Sequence, residues 1–426
     1  MGKIETDHTG SGGGITLSSD GTSLLLDGTA IGGSPDLYAE NYDGTSTLPS
    51  ATGTNAVAIG KSAVASGSSG FASGNGATAS GANSVALGRA NTASGSNSFA
   101  FGFSNTASAT YSVAIHGNAT ADETTAIGRN SSGQPANAVT GQGAMALGGS
   151  YASGADSFAA AIANNTSSYG ATGSNSVAMV RNSKASGSDS LAFGRTSQAT
   201  TSYAVAMGYN CLSAASYAVA LGYQAQATGN NAFAAGASST YQERANATAS
   251  GAVALGGAYA NGTDSVAIGA SAKSTEIGKI SFSNDKFSAV GDSQGGLFIL
   301  RADTTGATAE ALTTNNSTAA TTNQVVLPNN SVYGFTGTIT ARENSAATND
   351  FAIWEVKGGA VRGSSASTTA LGSYNINTIS ESTGAANWSI AISADTTNGA
   401  IAFTVTGEAV HQIRWVATIN TTEVIY

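Results

Sequence analysis

The chain of 426 residues has a narrow composition, in which only 10% of residues are charged, 55 are glycine and four are proline. Its net charge of −9 argues against a nucleic-acid partner, because phosphate binding needs clustered lysine and arginine. A single cysteine, Cys211, excludes an intrachain disulfide and a cysteine-based metal site. No apolar run is long enough for a membrane helix, so we expect no membrane insertion.

Residues 1–52, the first segment in chain order, are predicted to attach the protein to a larger particle. The stretch ITLSSDGTSLLLDGT at 15–29 contains two strand-like runs around Asp20 and Gly21, a pattern typical of a β-hairpin. The N-terminal residues lack the apolar core of a secretory signal, so export by that route is not expected.

A repeat dominates the predicted second segment, residues 53–275. A strand motif such as NAVAIG (55–60) recurs 15 times up to residue 269, with its leading apolar position often spaced by 14 residues. A second motif such as AVASG (63–67) follows about seven residues after each leading position. This spacing allows two short strands and two tight turns, so each period predicts one coil of a parallel β-roll.

The residue after the leading apolar position is alanine in all 15 copies. Alternation places it on the opposite strand face from residues such as Val57 and Ile59, so the strand is predicted to be buried on both faces. A two-strand coil has no cover of its own, and small alanines allow close approach of a second chain. A monomeric solenoid is the alternative, but it would expose a large apolar patch. The predicted trimer-interface residues are Ala58, Ala86, Ala100, Ala114, Ala178, Ala192, Ala206, Ala220, Ala254 and Ala267.

The turns of the repeat have their own columns. Glycine follows the strand in 12 copies, as at Gly60 and Gly208, which predicts a tight turn with positive φ. Asparagine or aspartate opens many strands, as at Asn83 and Asp264, which suits the preceding turn.

The NSVALG and ASG motifs resemble the head repeats of YadA-like trimeric autotransporter adhesins over residues 55–269. The resemblance implies a left-handed β-roll and a homotrimer with three-fold symmetry. The sequence departs from that family because it has neither a heptad stalk nor amphipathic barrel strands at its C-terminal end. A bacterial surface adhesin head exported by an unusual route is kept as an alternative.

Residues 276–426 lose the repeat and contain alternating segments separated by Gly, Asn and Asp, which predicts an antiparallel β-sandwich or jelly-roll knob. Trp354, Trp388 and Trp415 are expected to anchor its core. The stretches LPNNSVYGFTGTITAREN (327–344) and RWVATINTTEV (414–424) resemble C-terminal domains of tail-fibre-like structural proteins of phages.

No catalytic, cofactor-binding or metal-binding residues are predicted, and the protein is expected not to be an enzyme. His8, His116 and His411 lie in three different segments, and the paired carboxylates of a glycan-cleaving tailspike are not evident. A depolymerase tailspike is kept as a second alternative.

Two features are candidates for binding. The period breaks at 130–141, 164–173 and 237–248, which predicts loops, and the candidate receptor-binding residues there are Tyr169, Tyr241, Glu243 and Arg244. A column of cations and aromatics could bind anionic glycans, although a solvated ladder or salt bridges between protomers are the favoured interpretation. Its members are Lys61, Arg89, Arg129, Arg181, Arg195, Phe103, Tyr209 and Tyr223.

Together these patterns predict an all-β protein with a trimeric β-roll shaft and a C-terminal sandwich knob. The predicted function is a structural fibre on the tail or head of a phage virion, exposed on the particle. The expected partners are two further copies of the chain, a virion tail or capsid protein at the N-terminus, and a glycan or protein of the host surface.

Overall fold

The computed structural model describes residues 47–128, 136–160, 169–237, 244–344 and 348–426, together with the backbone of three short strands before residue 31. These residues form strands, turns and two short 3₁₀ helices. The chain divides into two compact units, Met1–Ser174 and Asn175–Tyr426. The predicted borders at residues 52/53 and 275/276 stay predictions.

The first unit begins with a small antiparallel sheet of three strands, Leu17–Ser19, Leu24–Leu26 and Thr29–Ala30. Leu17 pairs with Leu26 and Ser19 with Leu24 in an antiparallel register.

The roll in this unit has two parallel sheets, and each coil contributes one strand to each. Strands of the first sheet contain the repeated alanine as their second residue and pair in register from coil to coil, with Ala58 beside Ala72 and Ala72 beside Ala86. Its strands are Val57–Ile59, Phe71–Ser73, Val85–Arg89, Phe99–Phe103, Val113–Ile115, Thr125–Ile127, Met145–Leu147 and Phe158–Ala160.

The second sheet of the first unit is built from the ASG-type motifs. Its strands also pair in parallel, with Ala65 beside Ala79 and Ala79 beside Ala93. Its strands are Ser50–Ala51, Val64–Ala65, Thr78–Ala79, Thr92–Ala93, Thr106–Ala107, Gly117–Ala119 and Ala136–Val139, and Gly170–Ala171 is bridged to Ala152.

The second unit begins with the same arrangement. Its first-sheet strands are Val177–Met179, Leu191–Phe193, Val205–Tyr209, Val219–Tyr223, Phe233–Ala237, Val253–Leu255, Val266–Gly269 and Ile280–Ser283. Its second-sheet strands are Lys184–Ala185, Gln198–Ala199, Leu212–Ser213, Gln226–Ala227, Asn246–Ala247, Tyr259–Ala260 and Lys273–Ser274. The predicted parallel β-roll is thus confirmed.

The turns follow the predicted backbone conformations. Asn83 and Asp264 have φ of 54° and 54°, in the left-handed region that Asn and Asp tolerate better than most residues. Gly208 has φ of 125°, and a Cβ built on it would lie 1.8 Å from the carbonyl oxygen of Gly222 in the next coil. Glycine is therefore required there both by the backbone angle and by the close approach of the neighbouring coil.

A two-layer antiparallel sandwich completes the second unit. Its large sheet has the strand order Ser293–Thr304, Ile413–Ile425, Ser331–Glu343, Phe351–Arg362 and Ala370–Glu381. Its small sheet contains Glu310–Ala311, Val325–Val326, Ser389–Asp395 and Ala400–Thr406. The 3₁₀ helices are Ala366–Thr368 and Thr383–Ala385.

The roll passes directly into the sandwich. The strand Ile280–Ser283 pairs in parallel with Val266–Gly269 on one side and antiparallel with Ser293–Thr304 on the other. The parallel stacking therefore continues past residue 275, and the large sheet of the sandwich extends the first sheet of the roll.

The sandwich core contains all three tryptophans, as predicted. The rings of Trp354 and Trp388 lie 5.7 Å and 5.9 Å from the ring of Trp415, which is fully buried. Its indole N–H donates to Thr304 Oγ1 at 3.0 Å, so the one polar group of this side chain is satisfied.

We predict that Gly208→Ala lowers the stability of the second unit by about 1–3 kcal/mol or more, because the added methyl needs a strained backbone and meets the next coil. Gly306→Ala is the control, since a Cβ at Gly306 would have no atom within 4 Å. Thermal or urea unfolding of the two variants checks this. Equal midpoints would contradict the close packing of coils.

Asp292 generates a pH prediction. Its carboxylate accepts the N–H groups of Phe287, Ser288 and Ala289 at 2.9, 2.6 and 2.7 Å. Burial alone would raise the pKa of Asp292. The N–H donors of Ala289, Ser288 and Phe287 together lower this pKa by more than burial raises it, so it stands below its ordinary 3.8. The carboxylate therefore stabilises the fold above that ordinary value, and the contribution is lost as pH falls through the folded-state pKa.

Asp292→Asn should accordingly cost about 1.5–3 kcal/mol at neutral pH, the range for hydrogen bonds to a charged group. The difference from the parent should shrink as pH falls below 3.8. Urea unfolding across that pH range measures it, with exposed Asp285→Asn as the control. A stability difference between Asp292→Asn and the parent that does not change with pH would contradict the role assigned to the charged Asp292 carboxylate.

Candidate interaction surfaces

The ten alanines predicted to form the trimer interface point into the roll instead. Ala58 is 6% exposed, Ala178 is 1% exposed, and the others have no exposed surface in a single chain. A side chain with no accessible surface in one chain cannot contact another, so this interface prediction was wrong. Alternation separates the two faces of a strand correctly, but it does not say which face is inside.

The apolar residues on either side of each alanine are the ones that face outward. In the first unit Phe101 is 44% exposed, and in the second unit Phe193 and Met207 are 41% and 38% exposed. Their neighbours Val205 and Leu221 are half-buried. In each unit the outer surface of the first sheet is therefore apolar, and we call this surface the outer apolar face. Surfaces of this kind mark interfaces in soluble proteins.

Aromatic ladders flank this face in the second unit. The rings of Tyr209 and Tyr223 stack at 4.9 Å, and the guanidinium of Arg195 lies 5.5 Å from the Tyr209 ring. Two residues before the same strands begin, Tyr203 and Tyr217 stack at 4.8 Å. Because coils repeat in register, identical residues on adjacent coils meet at the spacing that ring stacking favours.

The predicted cation column is solvent-exposed where it is described. Lys61, Arg89, Arg181 and Arg195 are all exposed, and Arg89 lies 5.3 Å from the ring of Phe103. Arg129 lies outside the described residues. Arg89 and Arg195 thus form cation–π contacts with an aromatic residue of the next coil.

The candidate receptor-binding residues are only partly described. Tyr169 and Arg244 are half-buried, and Tyr241 and Glu243 lie outside the described residues. Tyr169 belongs to the first unit and Arg244 to the second, and the role of all four residues stays a prediction.

The outer surface of the second sheet contrasts with the outer apolar face. Thr78, Thr92, Lys184, Gln198 and Gln226 point outward and are half-buried. These side chains are polar or charged, so this surface is suited to contact with water.

His116 is an exposed residue with a left-handed backbone conformation. It has φ of 53°, and its N–H donates to the carbonyl oxygen of Phe101 at 3.0 Å. Its ring meets the Phe101 ring edge-on at 6.3 Å. Within the described residues there is no group of three His, Cys, Asp or Glu side chains that could hold a metal ion.

The outer side of the large sheet in the sandwich carries an apolar stripe. Val332 pairs in register with Val424 and with Val361, and the three are 54%, 50% and 45% exposed. A shallow groove of about 460 Å³ lies on this sheet, lined by Gly334, Phe335, Thr336, Lys357, Gly358, Asn420, Thr421 and Thr422.

A polar cluster at the edge of the sandwich was not predicted from the sequence. Glu343 Oε1 lies 2.8 Å from Nδ1 of His411, and the hydroxyl of Thr348 donates to its other oxygen. The hydrogen bond from Thr348 has the largest effect on the pKa of Glu343 and lowers it. Burial raises this pKa and His411 lowers it, so the pKa stands below its ordinary value. The general acid of a glycosidase needs a raised pKa instead, so this carboxyl is poorly suited to that role.

A buried charged cluster was also not predicted from the sequence. Lys279, Glu276 and Glu423 are 1%, 3% and 1% exposed, and the Lys279 ammonium lies between the two carboxylates. Burial lowers the pKa of Lys279, but attraction to Glu276 and Glu423 raises it by more, so it stands above its ordinary value. No sequence signal joins residues that are 144 positions apart.

Comparison with known proteins identifies repeats of one family in the chain. The family described as YadA head domain repeat matches residues 51–77, 65–91, 93–115, 185–210, 214–239 and 260–277. The chain therefore contains YadA head domain repeats, and every match lies within the segment where the parallel coils are found. No curated protein sequence matches the chain.

One solved structure to which the chain is similar is a tailspike protein of the Acinetobacter baumannii bacteriophage Fri1, a capsular polysaccharide depolymerase. The identity is 9%, the alignment covers 88% of this chain and 68% of that chain, and the TM-score is 0.25. A score this low supports no conclusion about activity. Among the described residues, no helix has the length and apolar character to cross a membrane.

Proposed function

We propose that the chain is a trimeric, non-enzymatic fibre of a phage virion that attaches to the host surface or decorates the tail or capsid. The observation that carries the proposal is the outer apolar face of a roll built from YadA head repeats. One chain leaves this face open to water, and two further copies arranged around an axis would cover it.

The phage assignment rests on the sandwich. The two stretches that resemble phage tail-fibre-like proteins lie on the neighbouring strands Ser331–Glu343 and Ile413–Ile425, which pair along their whole lengths. The two stretches that carry the resemblance therefore form adjacent strands within the large sheet. Residues 1–52 would dock the fibre to a tail or capsid protein, and the sandwich and the loops near Tyr169 and Arg244 would meet the host.

The trimer proposal predicts that Met207→Lys disrupts assembly. Met207 is 38% exposed in one chain, so a single roll tolerates lysine there, whereas an interface would bury three unpaired ammonium groups. Gln226→Lys on the polar outer surface of the second sheet is the control with the same added charge. Light scattering coupled to size exclusion should give three chains for the parent and the control, and fewer for Met207→Lys. A monomeric parent would refute the trimer.

The non-enzymatic role is tested on glycans. Incubation of the purified protein with bacterial surface polysaccharides should leave the length distribution of the glycans unchanged, while a glycan from a susceptible host retains the protein on a column. Chain shortening by the parent that is lost in Glu343→Gln would replace this proposal with a depolymerase. Shortening that persists in that variant would place a catalytic site elsewhere.

A further inference from the structure

The buried charged cluster of the second unit has the composition of a reactive site. We call Glu276, Lys279, Gln294, Tyr333 and Glu423 the Lys279 cluster; their exposed fractions range from 1% to 9%. An ion pair that is this deeply buried loses most of its hydration, so burial alone gives little net stability. The arrangement calls for another explanation.

Lys279 is placed for attack on Glu423. Its Nζ lies 3.0 Å from each oxygen of the Glu423 carboxylate and 3.3 Å from Oε2 of Glu276. Nucleophile, electrophile and a second carboxylate are thus in contact before any reaction, which removes most of the entropic barrier.

Neutral donors surround the Glu423 carboxylate. Tyr333 Oη and Gln294 Nε2 donate to Oε2 at 2.9 and 2.6 Å, and Thr421 Oγ1 donates to Oε1 at 2.6 Å. Burial and the negative charges of Glu423 and Glu276 hold the pKa of Tyr333 well above its ordinary value, so its hydroxyl keeps the proton it donates. Two fixed donors on one oxygen are suited to stabilise the negative charge of a tetrahedral intermediate.

Aromatic rings close the site. Lys279 Nζ lies 5.1 Å from the centre of the Phe298 ring and 5.7 Å from that of Tyr333. Such walls exclude water, which would otherwise solvate the ammonium and favour hydrolysis of an amide.

We propose that Lys279 and Glu423 condense to form an intramolecular isopeptide bond, with Glu276 relaying a proton. The cluster is a self-modification site whose substrate is the chain itself.

The atoms balance without a co-reactant. The ammonium of Lys279 first passes one proton to Glu423, which gives a neutral amine and a carboxylic acid. The amine lone pair attacks Cδ of Glu423, and Glu276 takes the second proton from nitrogen. Glu276 then delivers that proton to the hydroxyl Oε1, the C–Oε1 bond breaks, and one water leaves. Glu276 returns to its starting charge, and a buried ion pair has become a neutral amide.

Gln294 is a less favourable acceptor, although it also lies beside Glu423. Its carboxamide is held by the main chain of Lys273, which donates N–H to Oε1 at 2.8 Å and accepts from Nε2 at 2.9 Å. Both polar ends of this amide are occupied, so Gln294 is held as a donor to Glu423.

The position of the bond would suit a fibre under load. Lys279 immediately precedes Ile280–Ser283, the strand that joins the roll to the sandwich, and Glu423 lies on the last strand, Ile413–Ile425. A covalent link across 144 residues would close the sandwich between its first and last elements. Cross-links over long loops restrict the unfolded chain most.

The test is the intact mass of the full-length purified protein under denaturing conditions. We expect the parent to be lighter than its sequence by one water. Trypsin should then yield one branched peptide in which residues 274–286, uncut at Lys279, are joined to residues 415–426. An unaltered mass with two separate peptides would overturn the proposal. Loss of ammonia with a link from Lys279 to Gln294 would overturn Glu423 as the acceptor.

Variants separate the reaction from the fold. Lys279→Met and Glu276→Gln should both show the full sequence mass, and the exposed Lys357→Met should retain the loss of water. Light scattering and circular dichroism confirm that each variant is folded. A folded Glu276→Gln variant that condenses as completely as the parent would overturn the relay assigned to Glu276.

Discussion

Main-chain hydrogen bonds hold successive coils in register, and the short strands and turns of each coil set the width of the roll, on which the other features of the shaft depend. The N–H of Val57 donates to Gly70 O and that of Val205 to Ala218 O, each at 2.9 Å. Each coil has only two short strands joined by tight turns, so the stacked coils enclose a narrow space that alanine fills. Larger apolar side chains must therefore point outward, and a single roll cannot bury them. The same constraint that makes the coil compact leaves the outer apolar face in need of a partner.

The sandwich solves the same burial problem within one chain. Its strands are long enough, at 12 or 13 residues in the large sheet, to carry bulky side chains on one face. Trp415 and Phe403 fill the space between the two layers, so this region has a core of ordinary depth. The strand Ile280–Ser283 belongs to both arrangements, and the Lys279 cluster lies beside it. The Lys279 cluster thus lies where the alanine core of the roll ends and the aromatic core of the sandwich begins.

The sequence predicted features that repeat or that are local. The coil period, the positive φ of Gly208 and the tryptophan core were all visible as patterns. The inward direction of Ala206 was not, because alternation is symmetric between the two faces and only the width of the roll decides between them. The Lys279 cluster could not be found either, since its members are single polar residues brought together by pairing of distant strands. The contact between Glu343 and His411 could not be predicted from the sequence for the same reason.

In-register stacking has an evolutionary consequence. Ala178 lies beside Ala192, and Ala192 beside Ala206, so each coil offers its neighbours the same columns. A gene segment that encodes one whole coil can be duplicated or lost by unequal recombination without placing any side chain on the wrong face. Lineages could then change the reach of the shaft in steps of one coil while its two ends are inherited intact.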